Sequence, residues 1–344
     1  MRIALTADPE LPVPPRQYGG IERIVDMLAR GLAERGHEVT LFAHSGSLTA
    51  GRLVAWPGRR SGSVLDTARN SLTLAHEVAR GRFDLVHSFS RIAYMLPILP
   101  AKIPKLMTYQ RDVSLRSVRL GHWLSGGSLW FCAISRRMMS GVDQVGTWRM
   151  VFNGAPMEAY DFHQDPGPDA SLVFLGRIEE IKGPHLAIEI ARRAGLPLAI
   201  AGNIPPEHAG WFEREIRPHI DDDRVRFIGP VDDVQKNHLL GEARALLMPI
   251  LWEEPFGIVM AEAMACGAPV IGSARGAVPE VVEDGVTGFV RDDVEGMSAA
   301  VGRLGEIDRR ACRARAERLF SDTSVVEGYL AVYAEMLAAA GRAA

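Results

Sequence analysis

Two α/β domains, each built on a parallel sheet, are what this sequence predicts, and three observations predict them. The chain has 344 residues, more than one hydrophobic core usually holds, so two cores are the starting expectation. Short apolar runs of strand length alternate with amphipathic stretches of helix length in both halves, the pattern of parallel α/β domains. A break separates the two series: Asn153-Gly154-Ala155-Pro156, with a polar stretch at 161–169 behind it.

The first series opens with a strand at 3–7 and a loop holding Pro12, Pro14, Pro15, Gly19 and Gly20. A helix starts near Ile21. Ile21, Ile24, Val25, Leu28 and Leu32 repeat at the spacing of one buried face, and Gly36 ends it. Strands follow at 39–43, 84–87, 105–109 and 130–134. The second series places strands at 171–176, 198–202, 225–229 and 245–249. After the last of these, Pro255 suits the first turn of a helix, where its missing N–H costs nothing. That helix runs through Ile258, Val259, Met260, Ala263 and Met264 to a stop at Gly267. A final helix over about 324–339 sets Val325, Tyr329, Val332, Tyr333 and Met336 on one stripe. The sequence shows no internal repeat and no low-complexity segment.

Hydrophobic content of 47% and charged content of 24% describe an ordinary globular chain. No apolar run reaches the ~18 residues of a membrane span. The apolar part of M-R-I-A-L-T-A-D is too short for a signal peptide, so the expectation is a cytoplasmic protein. Cys132, Cys266 and Cys312 are far apart and odd in number, which argues against a disulfide framework or a CxxC metal site. The net charge of -3 is unevenly spread: 20 Lys+Arg against 11 Asp+Glu through Ala155, then 19 against 31. The basic first half suits an acidic acceptor, an anionic membrane surface, or attraction to the acidic second half, and the sequence leaves these open. No nucleic-acid partner is expected. The chain lacks G-x-S-x-G, H-E-x-x-H and G-x-G-x-x-G, which removes the usual hydrolase, zinc-protease and dinucleotide readings.

The chemistry concentrates in residues 252–270, W-E-E-P-F-G-I-V-M-A-E-A-M-A-C-G-A-P-V. Glu254 and Glu262 stand with seven residues between them across a strand-to-helix junction. Such a junction offers backbone N–H groups and a positive dipole end to phosphate. Glu254 falls at its mouth and Glu262 about two turns inside, where two hydroxyls of a diol can donate to a carboxylate. The functional reading is one acid for a sugar and one for a ribose, flanking a diphosphate; the plain one is a helix-terminal charge and an exposed mid-helix acid. Upstream, Gly176-Arg177 and Lys182-Gly183 flank a loop before a helix starting at Pro184. Two cations there form a diphosphate clamp, each charge-assisted hydrogen bond contributing roughly 1.5–3 kcal/mol. In Pro14 to Glu22, P-P-R-Q-Y-G-G-I-E, Gly19 and Gly20 bring backbone close to a ligand at a helix start, and Glu22 is a first-turn helix acid. Gly202-Asn203, Phe227-Ile228-Gly229 and Gly276 to Glu280 fall at carboxyl ends of strands, where open α/β sheets bind ligands. The acid runs Asp221-Asp222-Asp223 and Asp232-Asp233 are read as solvated loops, so no metal is expected.

These residues carry a resemblance. The E-x7-E of Glu254 and Glu262 resembles the motif of the family-4 retaining glycosyltransferases, enzymes of the two-domain GT-B fold. G-A-P-V-I-G-S-A-R-G-A-V-P-E-V-V-E-D-G-V-T-G-F-V at 267–290 is similar to the same family, and 176–183 to its G-R-x4-K-G element. The resemblance implies two Rossmann-like domains with parallel sheets facing an interdomain cleft. The acceptor-side domain would span 1–155, completed by the C-terminal helix at about 324–344. The nucleotide-sugar-binding domain would span 165–323. Arg177, Lys182 and Glu254 inherit the catalytic roles, the two cations neutralising the leaving group. Gly19, Gly20, Gln110, Phe256, Gly257 and Glu262 inherit contacts to the donor, those of Phe256 and Gly257 through backbone groups on the sugar.

One position departs from the family. A histidine usually follows the T-x of the first domain and reaches a donor hydroxyl; this chain has Thr108-Tyr109-Gln110. Gln110 can exchange hydrogen bonds but cannot carry a proton. His87, at a family-like D-L-V-H strand end, is read as a satisfied core histidine. The implied activity is retaining transfer of a hexose from a nucleotide diphosphate sugar, UDP favoured over GDP, to a hydroxyl of a glycan, lipid or small molecule. Neither metal nor cofactor is implied. A sugar-nucleotide epimerase and a non-catalytic nucleotide-sugar-binding protein stand as alternatives.

Overall fold

In the computed structural model, which describes residues 1–15 and 19–341, the chain divides into two compact units, Met1–Asn153 with Asp322–Ala344 and Gly154–Ser321. The first opens on β1 (Arg2–Thr6), whose alternating faces are both apolar and bury almost completely, as a central parallel strand requires. α1 (Gly20–Glu34) follows and buries Ile24, Val25, Leu28 and Leu32. The chain continues through β2 (Glu38–Ala43), β3 (Arg52–Ala55), α2 (Val64–Gly81), β4 (Leu85–Ser88), α3 (Ile92–Met95), β5 (Lys105–Tyr109), α4 (Leu115–Ser125), β6 (Leu129–Ala133), α5 (Arg136–Met139) and β7 (Thr147–Met150). Among the described residues these strands form one seven-stranded sheet, all parallel, in the order β3-β2-β1-β4-β5-β6-β7.

The second unit holds β8 (Leu172–Leu175), α6 (Pro184–Ala194), β9 (Leu198–Ala201), α7 (Ala209–Glu215), β10 (Val225–Gly229), α8 (Asp233–Gly241), β11 (Ala245–Met248), α9 (Ile258–Ala265), β12 (Val270–Ser273), α10 (Val278–Val281), β13 (Gly288–Arg291), α11 (Val294–Val301) and α12 (Arg309–Phe320). Its parallel sheet runs β10-β9-β8-β11-β12-β13. The chain starts at β8, steps outward to β10, then crosses back to β11, so the strand order reverses between β8 and β11. Their carboxyl ends are where an open α/β sheet takes its ligand.

α13 (Asp322–Ala339) returns to the first unit, where Val325, Tyr329, Val332, Tyr333 and Met336 are buried. His87 fastens this helix: its ring nitrogens lie 2.6 Å from the Tyr333 hydroxyl and 2.7 Å from Thr108 Oγ1. Complete burial holds its imidazole well below the ordinary pKa, hence neutral. The satisfied core histidine expected from the sequence is what the structure shows.

Both sheets, with their flanking helices, are Rossmann-like. Strands β3 and β7, at the two edges of the first sheet, and β12 and β13 of the second, were not foreseen. The segment from Gly154 packs on the second unit: Ala155 N–H donates to Phe320 O at 2.9 Å and His163 N–H to Cys266 O at 3.0 Å. One helix start is corrected. α9 begins at Ile258, with Gly257 as its N-cap, so Pro255 lies in the preceding loop and Glu262 is one turn inside rather than two. The reason is local: Gly257 sits at φ 76° and Phe256 turns into the core, 1% exposed and edge-on to Phe320 at 5.5 Å. Both interrupt a helix that would otherwise start at Pro255.

Candidate active site

The loops after β8 and β11 meet at the point of strand reversal. Leu251 N–H donates to Ile181 O at 2.8 Å, tying the two loops together. Across that tie, Lys182 Nζ lies 2.6 Å from Glu254 Oε2, with side chains only 15% and 9% exposed. The ammonium also stands 4.4 Å from the centre of the Trp252 ring, whose Nε1–H donates to the same Glu254 oxygen at 3.2 Å. Lysine, indole and carboxylate thus fix one another, and cation–π attraction adds to the ion pair.

The Glu254 backbone is held from the other side. Ala277 N–H donates to Glu254 O at 2.8 Å, and Gly276 N–H to Glu253 Oε2 at 2.9 Å. Gly276 has φ 54°, and a Cβ there would stand 2.3 Å from both Glu254 N and O. Only glycine allows this approach. The loop after β12 therefore braces the one after β11.

Arg177 extends from the end of β8. Its Nη2 lies 2.8 Å from Glu179 Oε1, and His208 Nε2 stands 3.5 Å from the other Glu179 oxygen. Glu179 is buried while Arg177 is about a third exposed, so the guanidinium is anchored from behind and reachable from solvent. The backbone beneath is knitted to neighbouring strand ends by Gly176 N–H to Ala201 O at 3.1 Å and Ile178 N–H to Asn203 O at 3.0 Å.

Glu262 lies on α9. Its Oε1 accepts from the Tyr160 hydroxyl at 2.7 Å and from Lys236 Nζ at 2.6 Å, and all three side chains are largely buried. Burial and the Glu262 carboxylate push the Tyr160 phenol far above its ordinary pKa, so it stays a donor. Tyr160, Lys236 and Trp252 were missed in the sequence. Tyr160 lies in the connection behind the Asn153-Gly154 break, far from any motif. Lys236 follows Asp232-Asp233, and Asp232 caps α8 in a reciprocal box with Gln235. Asp221 likewise accepts the N–H groups of Asp223, Arg224 and Val225, which lower its pKa. These acids cap local backbone. Among the described residues, no group of three His, Cys, Asp or Glu side chains is placed to hold a metal.

The remaining sequence-predicted residues lie in the first unit. Gly19 is the N-cap of α1 and Gly20 its first residue; a Cβ on Gly19 would stand 2.6 Å from Pro15 Cβ. Arg16, Gln17 and Tyr18 of the same motif lie outside the described residues. Glu22 is in the first turn of α1, as expected, and burial raises its pKa. The Gln110 side chain closes a reciprocal amide pair with Asn153, at 3.0 and 2.6 Å. Asp8 follows β1, and burial, reinforced by Glu10, pushes its carboxyl up to about 6 against the opposing charge of Arg111. Its Oδ1 is buried without a hydrogen-bond partner among the described residues.

The second unit thus gathers Lys182, Glu254 and Arg177 at the strand reversal, with Phe256, Gly257 and Glu262 on the segment leading into and along α9. Residues 159–316 match the family described as glycosyl transferases group 1, and residues 18–146 match glycosyltransferase family 4. The spore coat protein SA of Bacillus subtilis is 25% identical, over 97% of this chain and 99% of its own. The phosphatidyl-myo-inositol mannosyltransferase of Mycolicibacterium smegmatis is 29% identical, over 99% of this chain and 95% of its own. Among solved structures, Alr3699/HepE of Anabaena, crystallised with UDP and glucose, matches with a TM-score of 0.73 at 19% identity, covering 97% of this chain and 100% of that one.

Proposed function

The chain belongs to the group 1 and family 4 glycosyltransferases of GT-B fold, and from that premise we propose retaining transfer of a hexose from a nucleotide diphosphate sugar to an acceptor hydroxyl. The observation that carries the reading is the Lys182–Glu254 pair at the β8/β11 reversal, with Arg177 anchored at the end of the same strand β8. Lys182, paired with Glu254 ahead of α9, and Arg177 at the end of β8 are suited to the charge that develops on a departing diphosphate.

In the proposed step, the bond from the anomeric carbon to the β-phosphate oxygen breaks while the acceptor oxygen bonds that carbon on the same face. The acceptor's proton passes to the departing phosphate oxygen, so no side chain is required as base. Lys182 and Arg177 neutralise the leaving group, and Glu254 with Trp252 orients Lys182. Glu262, fixed through Oε1 by Tyr160 and Lys236, keeps lone pairs for the two ribose hydroxyls. Backbone groups of Phe256 and Gly257 contact the sugar, and the N-terminal unit, with Gly19 and Gly20, serves the acceptor. The donor base is UDP in preference to GDP, a choice supported by the UDP bound to the Anabaena protein. The reaction runs without metal or further cofactor and in the cytoplasm.

The test is slow donor hydrolysis, with water as acceptor, followed by proton NMR in EDTA. The reading predicts that an α-linked UDP-hexose first releases the α anomer, at an unchanged rate in chelator, and that Lys182→Ala lowers kcat at least about a hundredfold. First release of the β anomer would exclude retention. Conversion of the donor to an epimer, or binding without turnover in the presence of a broad acceptor mixture, would replace transfer with one of the alternatives.

A further inference from the structure

We propose that the face of the N-terminal unit formed by α2, α3 and α4 docks on an anionic lipid bilayer. The observation is an unusual solvent surface. On α4, Arg116, Arg119, Leu120 and Trp123 follow one another at i, i+3, i+4 and i+7 and are exposed, Trp123 to 76%. On α2, Leu65, Arg69, Leu72 and His76 form a second exposed stripe, with Leu65 at 61% and Leu72 at 66%. Neither stripe carries an acid. A globular helix ordinarily turns its leucines to the core and its acids outward. Here Leu74 of α2 and Val118 of α4 already fill the core, so the outward leucines and tryptophan are surplus to folding.

The two stripes share one side of the sheet. Leu74, Val118 and the α3 residues Tyr94 and Met95 belong to one buried cluster. Ser71 Oγ of α2 donates to Ala93 O at 2.9 Å. Gly121 lets α4 lie against α3, where a Cβ would come within 2.5 Å of Ile92 Cδ1. With their inner faces in one core, the outer faces of α2 and α4 look the same way, and Leu96, next after α3, is exposed as well.

Charge decides the occupant. Residues 58–140 hold 13 Lys+Arg and 4 Asp+Glu, whereas the rest of the first 155 balances at 7 of each. The whole basic surplus of the N-terminal half therefore falls on the segment that builds this face. Three of its four acids are engaged locally: Asp66 with Arg69 at 3.6 Å and with the backbone of Arg59 and Arg60, Glu77 with Arg52, and Asp84 with Arg2 N–H. Arginines that snorkel, interleaved with exposed leucine and a tryptophan, match the phosphate and acyl layers of an anionic leaflet at once. No described helix is long and apolar enough to cross a membrane, so this is attachment from one side. The proposal does not depend on the glycosyl-transfer reading.

The test is sedimentation of the full chain with vesicles of phosphatidylglycerol and phosphatidylcholine in equal parts, against phosphatidylcholine alone. The chain should bind the mixed vesicles and not the zwitterionic ones, and added salt should weaken it. Arg116→Ala with Arg119→Ala should lower the partition coefficient about 30-fold, at about fivefold per arginine. Trp123→Ala should lower it about tenfold. Both variants should keep the wild-type melting temperature, since the stripes are exposed. A second readout needs no destabilised variant: mixed vesicles should shift tryptophan emission to shorter wavelength, and Trp123→Phe should abolish the shift. Failure to bind mixed vesicles, equal binding to zwitterionic ones, or an emission shift that persists in Trp123→Phe overturns the proposal.

Discussion

At the scale of single residues, the Lys182–Glu254 pair separates structure from function. Removing Lys182 alone leaves a nearly buried carboxylate beside Trp252, so Lys182→Met should cost about 1–3 kcal/mol of stability. Adding Glu254→Gln removes the stranded charge and should restore most of that stability without restoring transfer. Thermal unfolding and turnover of the wild type and both variants check this. Asp8 gives a pH test. Its folded pKa of about 6 lies above the ordinary 3.8, so the folded state binds the proton more tightly than the unfolded one. The contribution of Asp8 to stability is then fully present below about 4 and is lost as pH rises through about 6. Asp8→Asn should stabilise the protein at pH 8 by up to about 3 kcal/mol and change little at pH 4; melting temperatures across that range decide it. Glu254, Glu262, Arg177 and Lys182 could be picked out in the sequence because they fall in segments that resemble the family's E-x7-E and G-R-x4-K-G elements. The partners of Glu262 were not, because Tyr160 and Lys236 reach it only through tertiary packing, from 102 and 26 residues away.

At the scale of elements, the central strands of the first sheet and β8, β9, β10 and β11 of the second could be read because they are short, apolar and bounded by glycine or proline. The edge strands β3 and β7, of four residues each and carrying Arg52 and Arg149, lack that signal. The start of α9 was misplaced because proline at N1 is a common signal, whereas the inward turn of Phe256 and the positive φ of Gly257 are tertiary facts. The brace behind Glu254 is an element-scale device with its own test. Gly276→Ala meets backbone atoms on both sides of its new methyl, and it should lose at least about 1 kcal/mol of stability. Nucleotide affinity should fall with it, since Glu254 and the lysine it orients must move. Unchanged stability would mean the close approach of the two loops is relaxed in solution.

At the scale of the whole molecule, one architecture is used twice, and each copy reverses its strand order next to its first strand. In the second unit that reversal, between β8 and β11, is occupied by the charged residues of the E-x7-E and G-R-x4-K-G segments. In the first, the reversal lies between β1 and β4, and the loops that follow those strands carry Asp8, Gly19 and Arg91 among the described residues. The charge asymmetry of the sequence follows the same division, with the acidic half forming the donor-binding candidate and the basic half the proposed bilayer face.

The central claim is that Arg177, Lys182 and Glu262 of the second unit hold a nucleotide diphosphate sugar. It is tested most directly by calorimetric titration of the full chain, wild type and Arg177→Ala, Lys182→Ala and Glu262→Ala, with UDP, GDP and ADP and their hexose conjugates. One nucleotide should bind in the presence of EDTA. Loss of either cation should weaken both the free diphosphate and its conjugate about tenfold or more, and loss of Glu262 should weaken both through the ribose. Nucleotide affinity unchanged in all three variants would contradict it.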